Sequence, residues 1–375
     1  MTHPNTAYAR GVTVSPIVSV VTEVLEDRHN PQLLVHVTAD DGETGTGETW
    51  WGTYQPTSPP GSPVRPIAAM IESVLAPLCV GYDSDDIEGL WHQLARATAQ
   101  YGHEGIVSTA ISGIDLALWD LVAKRRGVPV TTLLGPIIHA AVPAYASLTW
   151  LGDADRVCAD AGRALDAGYR AVKLHEGNPG LILEVRRRLG SGVTMMVDAS
   201  ARFDEAGAMD ATRRLADADL TWFEEPVYPQ TDHGALARVR AVATMPIAAG
   251  ENEFSLAALT RLVASGAVDV LQPEVAKCGG LTPARAIGDV AARAGLTMAP
   301  HNYSMGPSFL ANVHWAMTSP AIRWVEVPWL PEGQAFPCGL PMPTLVDGSI
   351  RAPSQPGLGW TRECDDFSPD PQPLP

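Results

Sequence analysis

No CxxC pair occurs anywhere in this 375-residue chain, and its five cysteines, Cys79, Cys158, Cys278, Cys338 and Cys364, are odd in number and scattered. That pattern argues for reduced thiols and against a disulfide or zinc framework. Positive charge is also short. Lys and Arg total 26 against 42 Asp and Glu, a formal net charge of −16. A surface this acidic repels phosphate, so neither nucleic acid nor membrane is expected as a partner, and a small anionic substrate would need cations gathered at its own site. Uninterrupted apolar runs of the ~18 residues that suggest a membrane span are missing. The opening MTHPNTAYARG lacks the apolar stretch of a secretory leader, so a cytoplasmic location is expected. What the chain does have is 46% hydrophobic against 18% charged residues, a globular balance in a length that suits two domains.

Residues 16–50 alternate as antiparallel strands do, in VSVVTEVLED and QLLVHVTADDGETGTGETWWG, with Asp40, Asp41 and Gly42 as turn signals. Helical patterns follow over about 64–78, 84–98 and 104–126, the last stopped by Gly127 and Pro129. From about 140 the pattern changes. Eight short apolar segments, AAVPAYASL, AVKLHE, TMMVDAS, LTWFEEP, PIAAGEN, DVLQPEV, TMAPHN and RWVEV, alternate with helical stretches, which predicts parallel βα units closing into a barrel of the (β/α)₈ type.

The polar residues that end these strands recur almost periodically. His175, Asp198, Glu224, Glu251, Glu274, His301 and Glu326 follow one another at intervals of 23–27 residues. Residues two apart on a strand share a face, so Lys173 and His175 both point into the barrel, toward the C-terminal rim where barrel enzymes build their sites. Three carboxylates meeting there, Asp198, Glu224 and Glu251, would repel one another unless a divalent cation neutralised them. Hard oxygen ligands favour Mg²⁺, or Mn²⁺, and nothing supplies the His and Cys set typical of zinc. His301 with Glu274 on the neighbouring strand makes a dyad in which the carboxylate fixes the tautomer and raises basicity. Glu326 is a candidate to donate a hydrogen bond to a substrate oxygen, provided that burial raises its pKa. Two bases facing each other across a metal suit proton removal from carbon.

VDAS (Asp198), FEEP (Glu224), GEN (Glu251), LQPEVAKCGG (Glu274) and APHN (His301), at these spacings, resemble the enolase superfamily and within it the mandelate racemase subgroup, the mandelate racemase/muconate lactonizing enzyme family. The resemblance covers almost the whole chain and is to acid-sugar dehydratase-like members. It implies an α/β fold, a modified TIM barrel (β/α)7β over 136–330 with an α+β N-terminal capping domain over 1–135. A C-terminal return segment, 331–375, would pack on the capping domain and end in a Pro-rich tail. It also implies one Mg²⁺ per subunit, a small-molecule carboxylate substrate and a homo-oligomer, from dimer to octamer. The metal would hold the substrate carboxylate and stabilise the enediolate formed when the α-proton leaves. The activity implied is an acid-sugar (aldonate or aldarate) dehydratase, a lyase; the alternative is a racemase, epimerase or cycloisomerase working through the same enediolate.

Three positions depart from the family pattern. Where a Lys-x-Lys pair is usual, this chain has Lys173-Leu174-His175; the common asparagine is Ser200; the aspartate of the dyad is Glu274. Ser200 and Glu274 keep the roles of the residues they replace. His175, whose unperturbed pKa lies near 6.5, is expected to be mostly neutral beside Lys173 and a metal, and two roles stay open for it: a base in place of lysine, or a hydrogen-bonding group that leaves His301 as the one base. Lys173 is expected to bind the substrate carboxylate. In the capping region, EDRHNPQ and TWWGTYQP fall where the family's specificity loops lie. Arg28 or His29 is a candidate contact for a distal carboxylate or hydroxyl, and Trp50 or Trp51 for closing the pocket, against an equal reading as ordinary loop residues. His36, Lys277, His103 and His314 are expected to be structural. Two other classes remain in view: a Schiff-base aldolase through Lys173, and a barrel that binds a metabolite without turnover.

Overall fold

The computed structural model describes residues 14–27, 30–50 and 64–361. Strands β1 (Ile17–Leu25), β2 (Gln32–Ala39) and β3 (Thr44–Thr49) form an antiparallel sheet in the order β1-β2-β3. The β2–β3 turn falls where Asp40, Asp41 and Gly42 signalled it, with Gly42 at φ 85°. Strand β3 reads Thr-Gly-Thr-Gly-Glu-Thr, and its alternation matters. Gly45 and Gly47 face the helix Ile106–Arg125 so closely that a Cβ would lie 2.0 Å from the Ala117 carbonyl oxygen and 2.1 Å from that of Gly113. The opposite face carries Glu48 away from this helix.

Ile106–Arg125 is the one described helix long and apolar enough to cross a membrane, but 94% of that stretch is buried inside the protein, against β2 and β3 among others. It is therefore a core helix. The helix expected over 64–78 is present with a change of pitch: Arg65–Met70 and Ala76–Cys79 are α, and Ile71–Leu75 between them is a π-turn. The wide turn ends ahead of Pro77, which has no N–H to offer an α-helical bond.

The second sheet is parallel. Its strands are β4 (Val142–Leu148), β5 (Ala171–Leu174), β6 (Thr194–Asp198), β7 (Phe223–Glu224), β8 (Ile247–Ala249), β9 (Val270–Leu271), β10 (Thr297–Met298) and β11 (Val325–Trp329). Each pairs with its successor from β4 to β10, and β11 returns to pair with β4. A parallel bridge between Met298 and Ile322, just ahead of β11, closes the ring. Seven helices join the eight strands, and among the described residues no helix follows β11. The expected (β/α)7β barrel is what the chain forms. Short strand β12 (Ser349–Ile350) instead runs back antiparallel to β4. Side-chain caps from Asp153, Asn178, Asp204, Asp232 and Ser255 start five of the barrel helices, which is why these loops are short and well set.

Inside the barrel, Tyr145, Ala171, Met196, Trp222, Ala248, Val270 and Ala299 form an apolar floor. Two residues further along three of these strands stand Lys173, Asp198 and Glu224, on the same face and one layer higher. The polar layer therefore rests on a packed floor. The segment after β11 returns to the antiparallel sheet and the helix packed on it: Gln32 Oε1 accepts from the Cys338 N–H at 2.7 Å, and Asp120 Oδ1, on the helix Ile106–Arg125, from the Leu358 N–H at 2.8 Å.

Candidate active site

Asp198 and Glu224 end β6 and β7, and Glu251 lies two residues past β8. One oxygen from each comes within 4.8 Å of the other two. Three converging carboxylates with no sulfur or nitrogen among them are a donor set for a hard divalent cation. Each is held from behind. Glu224 Oε2 accepts from Trp222 Nε1 at 2.8 Å and Gln272 Nε2 at 2.7 Å, while Asp198 Oδ1 accepts from the Ser200 N–H at 2.6 Å and the Ser200 hydroxyl at 3.3 Å. The Ser200 contacts need a backbone that doubles back, and Ser200 (φ 49°) and Ala201 (φ 53°), shortly after Asp198, and Glu225 (φ 38°), directly after Glu224, all take left-handed conformations. Such conformations cost about 1–3 kcal/mol each and persist where surrounding structure enforces them. Ser200 thus supports a carboxylate from the position where the family pattern has asparagine.

Two imidazoles flank the triad. His301 Nδ1 lies 2.7 Å from Glu274 Oε2, and its Nε2 lies 3.0 Å from Glu251 Oε2. On the other side His175 Nδ1 bonds the Leu148 carbonyl oxygen, and its Nε2 lies 3.2 Å from Asp198 Oδ2. In both rings the Nδ1 side faces a hydrogen-bond acceptor, so Nδ1 carries the proton and Nε2 is the atom that faces the triad. Burial disfavours the charged form of His301, but Glu251 and the Glu274 bond outweigh it and raise the ring to about 9. His175 is also raised, because Asp198 outweighs its burial. A mostly neutral His175 is the expectation beside Lys173 and a metal; the chain's own Asp198 draws the ring the other way. A cation held by Asp198 and Glu251 would leave both Nε2 atoms free to accept a proton.

Lys173 is fully buried, with Nζ 2.8 Å from Glu224 Oε1 and 2.7 Å from Glu326 Oε1. Burial alone would strip its proton, yet the two carboxylates outweigh that and hold the lysine well above its ordinary value. Glu326, on β11, responds in kind. Burial pushes it up, but Lys173 and His301 pull harder and bring it to about 2, so the condition under which Glu326 would donate a proton, a pKa raised by burial, is not met by the chain's own charges. Asp198 is held down likewise, its burial outweighed by His175 and Lys173. Glu224 goes the other way. Burial, with Asp198, Glu326 and Glu251 crowding it, outweighs Lys173 and raises it to about 7. Even with Lys173 and the two imidazoles beside them, the crowded carboxylates push Glu224 up, as expected of a cluster short of positive charge.

Arg28, His29 and Trp51 lie outside the described residues. Trp50 meets His301 edge-on at 5.6 Å between ring centroids. His314 is structural as expected, taking the Thr131 N–H on Nδ1 and bonding the Leu358 carbonyl through Nε2, and His36 lies between Glu23 and Thr46. Lys277 is closer to the chemistry than a purely structural residue. Its Nζ sits 4.2 Å over the Trp50 ring, 3.8 Å from Glu251 and 3.4 Å from Asn252 Oδ1. The sequence reading also missed Glu225 and Asn252. Asn252 Nδ2 donates to both Glu225 oxygens and to Glu251 Oε1. Their adjacency to triad residues in FEEP and GEN was the available signal.

Comparison with known proteins agrees with this geometry. Residues 6–135 match the family model for the mandelate racemase / muconate lactonizing enzyme N-terminal domain, and residues 156–366 the one described as enolase C-terminal domain-like. The chain is similar to the D-galactarolactone cycloisomerase of Agrobacterium fabrum, 31% identical over 87% of this chain and 88% of that one. It is similar as well to the L-rhamnonate dehydratase of Saccharopolyspora erythraea, 30% identical over 87% and 82% respectively. Among solved structures, an L-talarate dehydratase from a Polaromonas species, complexed with Mg and L-glucarate, superposes with a TM-score of 0.79 at 30% identity, covering 93% of this chain and 95% of that one.

Proposed function

The chain belongs to the enolase superfamily, in its mandelate racemase / muconate lactonizing enzyme group, and on that premise we propose that it removes the α-proton of an acid sugar and expels the β-hydroxyl as water. The observation that carries this is the pair of imidazoles, each tied at Nδ1 and each bearing through Nε2 on one carboxylate triad. His301 is the base for the α-carbon: its Nε2 takes the proton, and Glu274 behind Nδ1 stabilises the imidazolium. The C–O bond at the β-carbon then breaks, and a protonated imidazole delivers the proton that turns the leaving hydroxide into water. The enol left behind tautomerises to a 2-keto acid. Lys173, locked between Glu224 and Glu326 as a cation, binds the substrate carboxylate. The same locking argues against a Schiff-base role, which needs a neutral amine.

Asp198, Glu224 and Glu251 would hold Mg²⁺, which when bound supplies electrophilic stabilisation of the charge that develops on the substrate carboxylate. Support for magnesium and for a polyhydroxy acid also comes from the talarate dehydratase, whose structure holds both Mg and L-glucarate. The second reading is isomerisation or lactone cycloisomerisation after the same proton abstraction. Two facing imidazoles serve it equally well, and a cycloisomerase stands among the similar proteins. The test is a panel of aldonates, aldarates and their lactones incubated with Mg²⁺ in D₂O and followed by NMR. Keto-acid formation is the expected result. Deuterium entering recovered or isomerised substrate without loss of water selects the second reading, and no reaction across the panel rejects both.

A further inference from the structure

Glu48 belongs neither to the triad nor to the acid–base groups, yet only 1% of it is exposed. Its Oε1 accepts from Gln32 Nε2 at 2.9 Å and from the Ser304 hydroxyl at 2.7 Å. Its Oε2 accepts from the Ser308 N–H at 3.1 Å and the Ser308 hydroxyl at 2.8 Å. One side chain of the antiparallel sheet therefore gathers four donors, three of them from the stretch that follows β10. Neutral or ionised, it keeps oxygens for the Gln32 amide and the Ser308 N–H, because the serine hydroxyls can turn to accept.

His301 is the third residue of that stretch. Between His301 and the helix Pro307–Thr318 the chain has little regular structure of its own and is held by side chains instead. On the barrel side, Glu326 Oε2 accepts from the Asn302 N–H at 3.1 Å and the His301 carbonyl accepts from Asn312 Nδ2 at 3.3 Å. On the sheet side the hold is Glu48. Gly306 is pressed so close that a Cβ there would lie 2.6 Å from Glu48 Oε2. Gln32 carries the grip further, since its own Oε1 accepts from the Cys338 N–H at 2.7 Å. Sheet, return segment and the His301 loop thus meet at one buried carboxyl.

We propose that Glu48 is a positioning residue for His301: it straps the loop after β10 to the antiparallel sheet and so sets the bearing of the imidazole on the carboxylate triad. A rotation of His301 by even ~1 Å at Nε2 is costly to proton transfer, because the acceptor must lie on the line of the breaking bond. The inference rests on the proposed function only in naming His301 as the base; the mechanical claim stands on the contacts.

The test uses full-length protein with histidines labelled at ¹³Cε1, the His301 resonance being assigned by its loss in His301→Asn. Glu48→Ala should shift or broaden that resonance while leaving the His36 signal in place. With a working substrate it should lower kcat at least ~10-fold with KM changed less than ~3-fold, and Glu48→Gln, which keeps an acceptor, should recover most of the loss. Should Glu48→Ala fail to fold, the double variant Ser304→Ala/Ser308→Ala breaks the same strap from the loop side and should move the same resonance. Lowered thermal stability with an unmoved His301 resonance in either variant overturns the proposal. A moved resonance in a protein that turns over no acid sugar would reject the proposed function and leave this inference standing.

Discussion

His301 and His175 face the triad alike but are backed differently, one by a carboxylate and the other by a neutral carbonyl. A carboxylate behind the ring stabilises the imidazolium more, so His301 is the stronger base. We expect His301→Asn to lower turnover by about 10²–10⁴-fold while Mg²⁺ affinity, measured calorimetrically, stays within ~3-fold, and His175→Asn to cost less. Equal loss of turnover and of metal affinity in His301→Asn would make it a metal-site residue instead. Most of these side chains were legible in advance because each is the polar residue ending an apolar strand. Glu48 was not, since its partners Ser304 and Ser308 lie 256 and 260 positions away and nothing local distinguishes it from the solvent-facing residue of an alternating strand. The place of Lys277 was hidden for a similar reason: the Trp50 ring beneath it comes from the residue just after β3, far away in sequence.

At the level of elements, β3 and the helix Ile106–Arg125 touch backbone to backbone. Gly47→Ala would drive a methyl to 2.1 Å from the Gly113 carbonyl, in a place where both partners are main chain and cannot turn aside. It should cost about 3 kcal/mol or more in urea unfolding, or leave the protein insoluble; a loss below ~1 kcal/mol would mean the sheet can lift off the helix freely. The helix Pro307–Thr318 carries a second test. Burial pushes His314 down to about 4 from its ordinary 6.5. Above pH ~6.5 neither folded nor unfolded chain binds this proton; on acidification the unfolded chain binds it first, so the folded state loses about 3 kcal/mol between pH 6.5 and 4. Urea titrations at pH 7.5 and 4.5 should show that loss in the native protein and most of it absent in His314→Gln. Equal losses in both would exclude His314 as the source. The sequence marked the turn at Asp40–Gly42 and the eight strands well, because turn chemistry and apolar runs are local. It did not show the π-turn at Ile71–Leu75 within an otherwise regular helical pattern.

For the whole molecule, the clustered carboxylates make the folded state strain against its own charge, and a ligand that binds only the assembled triad must stabilise the fold. Mg²⁺ at about 100 times its Kd should add roughly 2.7 kcal/mol, near 3 °C in Tm for a chain of this length, and EDTA should reverse it. Asp198→Ala should remove the response, and an unchanged Mg²⁺ shift in that variant would place the cation elsewhere. The amino-acid sequence alone determined the parallel barrel, its preceding antiparallel sheet and the acids and histidines at the strand ends, because strand alternation and the βα repeat are short-range patterns. Only the tertiary structure decided the protonation of those groups. That His175 and Glu224 are raised while Glu326 is lowered depends on which charges packing brings close, and in a buried site those few ångströms outweigh the intrinsic chemistry of the side chain.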